Sequence, residues 1–157
     1  MTHPKEKSFQ DHYPDDFSHC YGCGRLNPHG HQLKSFWESH GETTIARFTP
    51  QPFHTGGVPE NAYGGLIASL MDCHGAASAA AAAFHAEGRT MDTHPPMRFV
   101  TASLKVDFLK PTPLDGELTV KGEIKEVAAR KVLVDLSLWA GETLCATGHM
   151  VAVKLKR

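Results

Sequence analysis

The stretch NAYGGLIASLMD, residues 61–72, decides the fold of this chain. It begins a long segment with helical spacing of apolar residues, which predicts a helix from about Gly65 to Glu87. The segment is dense in alanine, the residue with the highest helix propensity, and Gly88 suits its C-terminal end. No other segment of the sequence has a helical pattern of comparable length, so a single helix is expected.

Strand patterns flank this helix on both sides. Two short strands are predicted before it, at residues 33–39 and 43–49. Four follow it, at residues 102–108, 118–124, 132–138 and 143–155, with apolar side chains at every second position. Short turns join consecutive strands, which favours an antiparallel sheet. The sequence thus predicts an α+β fold, with a polar N-terminal surface arm at residues 1–31 and a single domain at residues 32–157.

The composition narrows the range of functions. The chain has 157 residues, with 16 Lys+Arg against 17 Asp+Glu and a formal net charge of −1. Nucleic-acid binders usually carry an excess of basic residues, so no nucleic-acid partner is expected. Neither a secretory signal nor a run of 18 apolar residues is found, which predicts a soluble cytoplasmic protein without a membrane partner.

The paired glycines at the helix start suggest a site that stabilises negative charge. Gly64 and Gly65 leave backbone N–H donors unpaired where the helix dipole adds about half a positive charge. Such donors stabilise a developing oxyanion, and losing one typically costs about 3 kcal/mol of barrier. Asp72 lies on the same apolar helix, where burying an unpaired carboxylate is costly. Its presence there indicates either a reactive acid or an acid at a polar edge of the helix.

The spacing of these residues predicts a dimer. Gly64 and Asp72 are eight residues apart, about 12 Å along a helix axis, so one subunit cannot place both beside the same carbonyl. Two antiparallel copies of the helix can, which gives two sites per homodimer.

Cysteine and histidine residues near the N-terminus raise the question of a metal. Cys20 and Cys23 form a Cys-x-x-Cys pair, with His19, His29 and His31 close in sequence. Thiolates and imidazoles suit zinc, but the spacing matches no common finger. We therefore favour a reduced structural pair and expect no metal, with zinc held by this arm as the alternative.

Together these motifs resemble the hotdog-fold acyl-CoA thioesterases of the phenylacetate-pathway (PaaI-like) type. The similarity rests on Gly64-Gly65 followed by Leu70-x-Asp72, on the Cys-Tyr-Gly-Cys-Gly block at residues 20–24 with Asn-Pro-His-Gly at 27–30, and on residues 101–111 with their closing proline. It implies a hotdog fold, in which a six-stranded antiparallel sheet wraps one central helix.

The resemblance also implies an activity, hydrolysis of a small or medium acyl-CoA to the free acid and CoA. Gly64, with Gly65 beside it, falls on the family's oxyanion donor. Asp72 falls on its general base or nucleophile, supplied by the partner subunit, and Thr101 on a residue that orients water. Tyr63 stands where the family has a histidine, and this difference is expected to affect the choice of substrate and the rate of hydrolysis. No cofactor is implied beyond the CoA of the substrate, and a dimer of dimers is common in the family.

Other residues are candidates for substrate binding. Asn61 and Tyr63 lie beside the glycines, and Arg98 and Lys110 are candidate cations for the CoA phosphates. His74 is expected to be a packed histidine, because residues i and i+2 of a helix point about 200° apart.

Two alternatives stay open. One is a hotdog acyl-CoA hydratase, an enzyme that pairs a histidine with an acid. The other is a non-catalytic acyl-CoA binding module.

Overall fold

The computed structural model describes residues 5–156, and residues 1–4 and 157 lie outside the described part. It contains one α-helix and six strands. The helix α1 spans Gly64–Ala86, and the strands are β1 (Ser35–Ser39), β2 (Thr43–Phe48), β3 (Phe99–Phe108), β4 (Leu118–Val127), β5 (Lys131–Ala140) and β6 (Thr143–Lys154).

The six strands form one sheet in the order β1-β2-β4-β5-β6-β3, and every neighbouring pair is antiparallel. Helix α1 packs against this sheet, mainly on β4, β5 and β3. The predicted α+β hotdog architecture is thereby confirmed. Strands β1 and β3 form the two edges, and β3 has ten residues with one side that no described strand covers.

The strand boundaries differ from the predicted ones where long-range pairing decides them. Strand β3 begins at Phe99 rather than at residue 102, because Phe99 and Val100 already pair with Lys154 and Val153 of β6. Strand β1 begins at Ser35 rather than at residue 33, because the N–H of Leu33 donates to the carbonyl of Gly22 in the N-terminal segment instead of to a strand.

The helix is the core element of the molecule. Leu66, Leu70 and Met71 are buried against the sheet, as is most of the alanine-rich second half of the helix. By length and hydropathy α1 could cross a membrane, but most of it is buried inside the protein, as expected for a core helix. It ends as predicted, since Gly88 adopts a positive φ of 66° and the N–H of Arg89 donates to the carbonyl of Phe84.

The N-terminal segment packs more closely than a surface arm. It contains two short 3-10 helices, Phe9–His12 and Asp15–Phe17. Phe9 is buried against Ala77 and Ala81 of α1, because its ring fills the space that the small alanines leave. The division of the chain at residue 31 stays a prediction.

Candidate functional site

The N-terminus of α1 has free hydrogen-bond donors. Tyr63 caps the helix with extended backbone (φ −61°, ψ 132°), and its carbonyl accepts the N–H groups of Leu66 and Ile67. Within residues 5–156, the N–H groups of Gly64 and Gly65 have no acceptor. Two unpaired donors therefore lie at the positive end of the helix dipole, the arrangement that binds an anion or an oxyanion.

The two glycines differ in the space around them. A Cβ on Gly65 would lie 2.3 Å from the ring of Tyr63, so the aromatic ring occupies the place of a side chain. A Cβ on Gly64 would meet only the ring of Phe108, at an ordinary 3.5 Å. Tyr63, at the position of the family histidine, is 59% exposed and covers the backbone of Gly65.

Asp72 lies on the same helix two turns later and is half-buried. The Thr101 hydroxyl on β3 donates to Asp72 Oδ1 at 2.5 Å, and no other hydrogen bond to this carboxylate is found in the described chain. Both residues line a cavity of about 510 Å³. The second carboxylate oxygen therefore keeps its capacity to accept a proton or a hydrogen bond from a molecule in this cavity.

One stripe of α1 is left uncovered by the sheet. Gly65, Ala68, Asp72 and Ala76 are partly exposed, while the residues between them are mostly buried. Their spacing of three and four residues places them on a single helix face. The face that carries Asp72 therefore also carries the glycines, and it is open to another molecule.

The predicted site residues fall into two groups within one chain. Asn61, Gly64 and Lys110 line a second cavity, of about 320 Å³, together with Phe108. Asp72 and Thr101 line the first cavity, and neither cavity contains the key residues of the other. A single chain does not bring the glycine donors and the carboxylate together.

Arg98 lies near the first cavity but already has a partner. Its guanidinium donates to both carboxylate oxygens of Asp16, at 2.7 and 2.8 Å, and lies 5.6 Å from the ring centre of Phe17. Both bonds come from the same nitrogen, Nη2, and this ion pair offsets a charge that was predicted to be available for phosphate.

Three cysteines converge on the first cavity. The sulfurs of Cys20, Cys23 and Cys73 lie within 4.8 Å of one another, and those of Cys20 and Cys73 are 3.7 Å apart. Thiol donation from Cys23 and Cys73 lowers the pKa of Cys20, and the same hydrogen bonds raise the pKa of both donors. The sequence around Cys73 gives no sign of this cluster, because the Cys-x-x-Cys motif lies about 50 residues earlier in the chain.

Two of the three histidines near the cysteine pair, His29 and His31, do not join the cysteines. His31 packs among aromatic rings, 5.0 Å from Tyr21 and 5.3 Å from both Phe48 and His54, and His29 is exposed. In the described chain the group of close metal-ligating atoms consists of cysteines alone. The structure therefore does not bring His29 and His31 together with Cys20 and Cys23, and zinc binding by this arm stays a prediction.

His74 faces the opposite way from Asp72. It is completely buried, with Nδ1 2.8 Å from the Ser35 hydroxyl and Nε2 2.9 Å from the Thr44 hydroxyl. Burial lowers its pKa to about 4. The prediction that His74 is a packed residue, and no partner of Asp72, is confirmed.

Comparisons with known proteins agree with the fold. The sequence profile described as "Thioesterase superfamily" matches residues 60–147, which include α1 and most of the sheet. A thioesterase superfamily protein from Shewanella loihica is 50% identical, covering 92% of this chain and 100% of its own, with a TM-score of 0.67.

More distant structures share the fold. The E. coli PaaI protein from the phenylacetic acid degradation operon is 14% identical over 80% of this chain and 81% of its own, with a TM-score of 0.64. A thioesterase from Haemophilus influenzae is 11% identical over 79% of this chain and 77% of its own, with a TM-score of 0.63. No curated protein matches the chain.

Proposed function

The chain belongs to the thioesterase superfamily and is a thioester hydrolase, and we propose that it cleaves small or medium acyl-CoA thioesters in a homodimer. The observation that carries the proposal is the Asp72 carboxylate, held on one oxygen by Thr101 and free on the other in a cavity of about 510 Å³. That volume is within the range of small-molecule sites, and Phe17, Phe99 and Ala76 give it apolar walls for an acyl group.

In the proposed reaction, Asp72 takes a proton from a water molecule whose oxygen attacks the thioester carbonyl. Thr101 holds the carboxylate in place through the hydroxyl bond to Oδ1. The N–H groups of Gly64 and Gly65 stabilise the negative charge on the carbonyl oxygen. The carbon–sulfur bond then breaks, the free acid forms, and the CoA thiolate leaves and takes the proton that Asp72 holds. No cofactor is required, because water, a base and two donors complete the hydrolysis.

A second copy of the chain brings the two groups together. The open stripe of α1 runs from the glycines to Asp72, and its midpoint between residues 64 and 72 is Ala68. A twofold axis beside Ala68 places Gly64 of one helix level with Asp72 of the other. The small side chain of Ala68 allows the helices to approach at the axis, and the edge of β3 that no described strand covers offers a strand for pairing.

The phosphates of CoA need a cation, and Lys110 suits this role better than Arg98. Lys110 is exposed beside the cavity of Asn61 and Gly64, while Arg98 is paired with Asp16. We expect Lys110→Met to raise KM for acyl-CoA severalfold and to leave kcat unchanged. An equal KM for the variant and the wild type would remove Lys110 from the site.

We also place the enzyme in the cytoplasm. All four cysteines are free thiols in the structure, which agrees with a reducing compartment.

The substrate class is tested by a hydrolysis screen. Acyl-CoAs of increasing chain length and aromatic acyl-CoAs are offered, and release of free thiol is measured. Asp72→Asn is expected to lower kcat on the order of 10³-fold and to keep CoA binding. Asp135→Asn serves as the matched control, because Asp135 is partly exposed, pairs with His149 and lies outside the cavity of Asp72. Hydrolysis of other thioesters without any acyl-CoA would overturn the substrate class. CoA binding without hydrolysis would favour the binding module.

Sharing of the site between subunits has its own test. Gly64→Pro removes one N–H at the first helical position, where proline fits, and Gly64→Ala restores that N–H as a control. Each of Asp72→Asn and Gly64→Pro alone is expected to be inactive. Coexpressed in equal amounts, they should regain about a quarter of the wild-type activity, because half of the dimers are mixed and each has one intact site of two. No recovery in demonstrated mixed dimers would mean that each site lies within one chain.

A further inference from the structure

The three-cysteine cluster formed by Cys20, Cys23 and Cys73 is not used by the proposed hydrolysis. We propose that these three thiolates bind a divalent zinc ion and fasten the N-terminal segment to α1 beside Asp72. The sequence indicates only the Cys-x-x-Cys half of this site. The third ligand, Cys73, comes from the helix and joins the pair through the fold.

The distances suit a metal with sulfur ligands. In a tetrahedral zinc site with metal–sulfur bonds of about 2.3 Å, neighbouring sulfurs lie about 3.8 Å apart. The sulfurs of Cys20 and Cys73 are 3.7 Å apart, and Cys23 lies within 4.8 Å of both. The Cys23 sulfur therefore has to move by at most about 1 Å toward the other two for all three to reach the spacing of one zinc site.

The backbone of the Cys-x-x-Cys turn is built around these sulfurs. The N–H of Gly22 points at the sulfur of Cys20, with a distance of 3.3 Å, as expected for a loop that stabilises thiolate charge. A Cβ on Gly22 would lie 2.2 Å from the sulfur of Cys73, and one on Gly24 would lie 2.4 Å from the nitrogen of Cys20. Only glycine at these two positions allows the turn to close over the helix.

The surroundings of the three cysteines agree with a zinc ion that has three protein ligands and one open coordination position. Cys23 and Cys73 are buried, while Cys20 is exposed, and all three line the cavity that Asp72 and His19 also line. The fourth zinc ligand therefore comes from the cavity side, as a water molecule or as His19. Soft thiolate ligands favour zinc over the hard cations magnesium and calcium.

Metal uptake by the purified full-length chain tests the proposal. The reduced protein is loaded with Zn²⁺ or Co²⁺ and freed of excess ion, and the bound metal is measured by mass spectrometry. We expect about one ion per chain. The cobalt form should show the near-ultraviolet sulfur-to-cobalt absorption and the visible bands of tetrahedral cobalt.

Matched cysteine variants locate the site. Cys20→Ser, Cys23→Ser and Cys73→Ser should each lose stoichiometric binding and the sulfur-to-cobalt band. Cys145→Ser should keep both, because Cys145 is buried elsewhere, with its sulfur near the carbonyls of Thr143 and Pro111. Cys20→Ser is the variant least prone to misfold, because Cys20 is exposed. Circular dichroism verifies the fold of each variant.

Several results would overturn the proposal. One is metal binding that persists in Cys20→Ser. Another is equal reactivity of the three thiols toward a thiol reagent with and without Zn²⁺. A third is air oxidation to a disulfide with no zinc uptake by the reduced protein. None of these readouts requires thioesterase activity. The zinc proposal can therefore fail while the proposed function holds, and the proposed function can fail while zinc binds.

Discussion

Asp72 and His74 lie two residues apart on the same helix and form two polar clusters of opposite kinds. Asp72 accepts one hydrogen bond, from Thr101, and opens into a cavity. His74 is fully buried, and both ring nitrogens have hydroxyl partners.

The closed cluster extends well beyond the histidine. The hydroxyl of Thr44 also lies 2.7 Å from that of Ser78, and Gln10 both donates to the Ser35 hydroxyl and accepts the Ser35 N–H. The cluster joins α1 to β1, β2 and the N-terminal segment. Its hydrogen-bonding capacity is used within the protein, so it stabilises the fold, whereas the unused capacity of Asp72 is available for chemistry.

The largest effect is expected at the open cluster. Asp72→Asn keeps the size of the side chain and its acceptor for Thr101, but an amide cannot take a proton from water. We expect kcat to fall on the order of 10³-fold, with unfolding free energy changed by less than about 1 kcal/mol. Acyl-CoA hydrolysis and urea denaturation measure the two quantities. Retained activity would contradict the role of Asp72, and a large loss of stability would contradict the contrast with His74.

The opposite result is expected at the closed cluster. His74→Ala leaves a cavity and removes a partner from Ser35 and from Thr44, which should cost about 3 kcal/mol of unfolding free energy. Below the unfolding transition, kcat should stay within about twofold, because the ring does not face the cavity of Asp72. Chemical denaturation measures the loss. A variant as stable as the wild type would show that the hydroxyl partners contribute little.

The pH dependence of stability separates the clusters further. The pKa of His74 is about 4 in the folded protein and near 6.5 in the unfolded chain, because burial disfavours the charged ring. The unfolded state therefore binds the proton first, and stability that is complete above pH 6.5 is lost as the pH falls toward 4. The expected loss by pH 4 is about 3 kcal/mol.

The histidine variant isolates this contribution. His12, His31 and His54 also have pKa values lowered by burial, so the raw pH curve contains their contributions as well. The difference between wild type and His74→Gln, measured by denaturation at several pH values, should shrink as the pH falls from 6.5 to 4. A constant difference would mean that His74 titrates normally in the folded state.

A smaller effect is expected for the residue that holds Asp72. Thr101→Val removes the hydroxyl but keeps the shape of the side chain, so the carboxylate remains and loses its orientation. We expect kcat to fall about tenfold, equivalent to about 1.4 kcal/mol of barrier, which is near the lower end for one hydrogen bond to a charged group. Thr101→Ser restores the donor and should recover most of the activity. If Val and Ser variants behave alike, the hydroxyl does not orient Asp72.

Much of the fold follows from local patterns. The helix that begins at the paired glycines ends within one residue of the predicted position, and six strands appear where alternation predicts them. Strands β4 and β5 end two or three residues later than predicted, and the starts of β1 and β3 differ where a neighbour distant in sequence decides whether a residue joins the sheet. Periodicity reports which face of an element is apolar, but it carries no information on its pairing partner.

The features of the candidate site also divide into those that local sequence predicts and those that only tertiary contacts decide. The free N–H groups of Gly64 and Gly65 follow from the start of a helix, and the packed state of His74 follows from its direction relative to Asp72. The pairing of Arg98 with Asp16, 82 residues apart, has no local signal. The same is true of Cys73 and Cys20, which are 53 residues apart and meet only after α1 and the N-terminal segment have packed together.

The sequence by itself therefore determined the order of the elements, the glycine donors and the acid on the helix, because spacing along one chain specifies these. It also determined that eight residues separate the glycine donor from the acid. On a straight helix this separation fixes a distance of about 12 Å along the axis, whatever the rest of the fold is. The tertiary structure alone decided which polar residues of α1 are satisfied and which are open. That outcome depends on burial and on partners from other elements, and it leaves His74 closed, Asp72 open and Cys73 beside the two cysteines of the N-terminal segment.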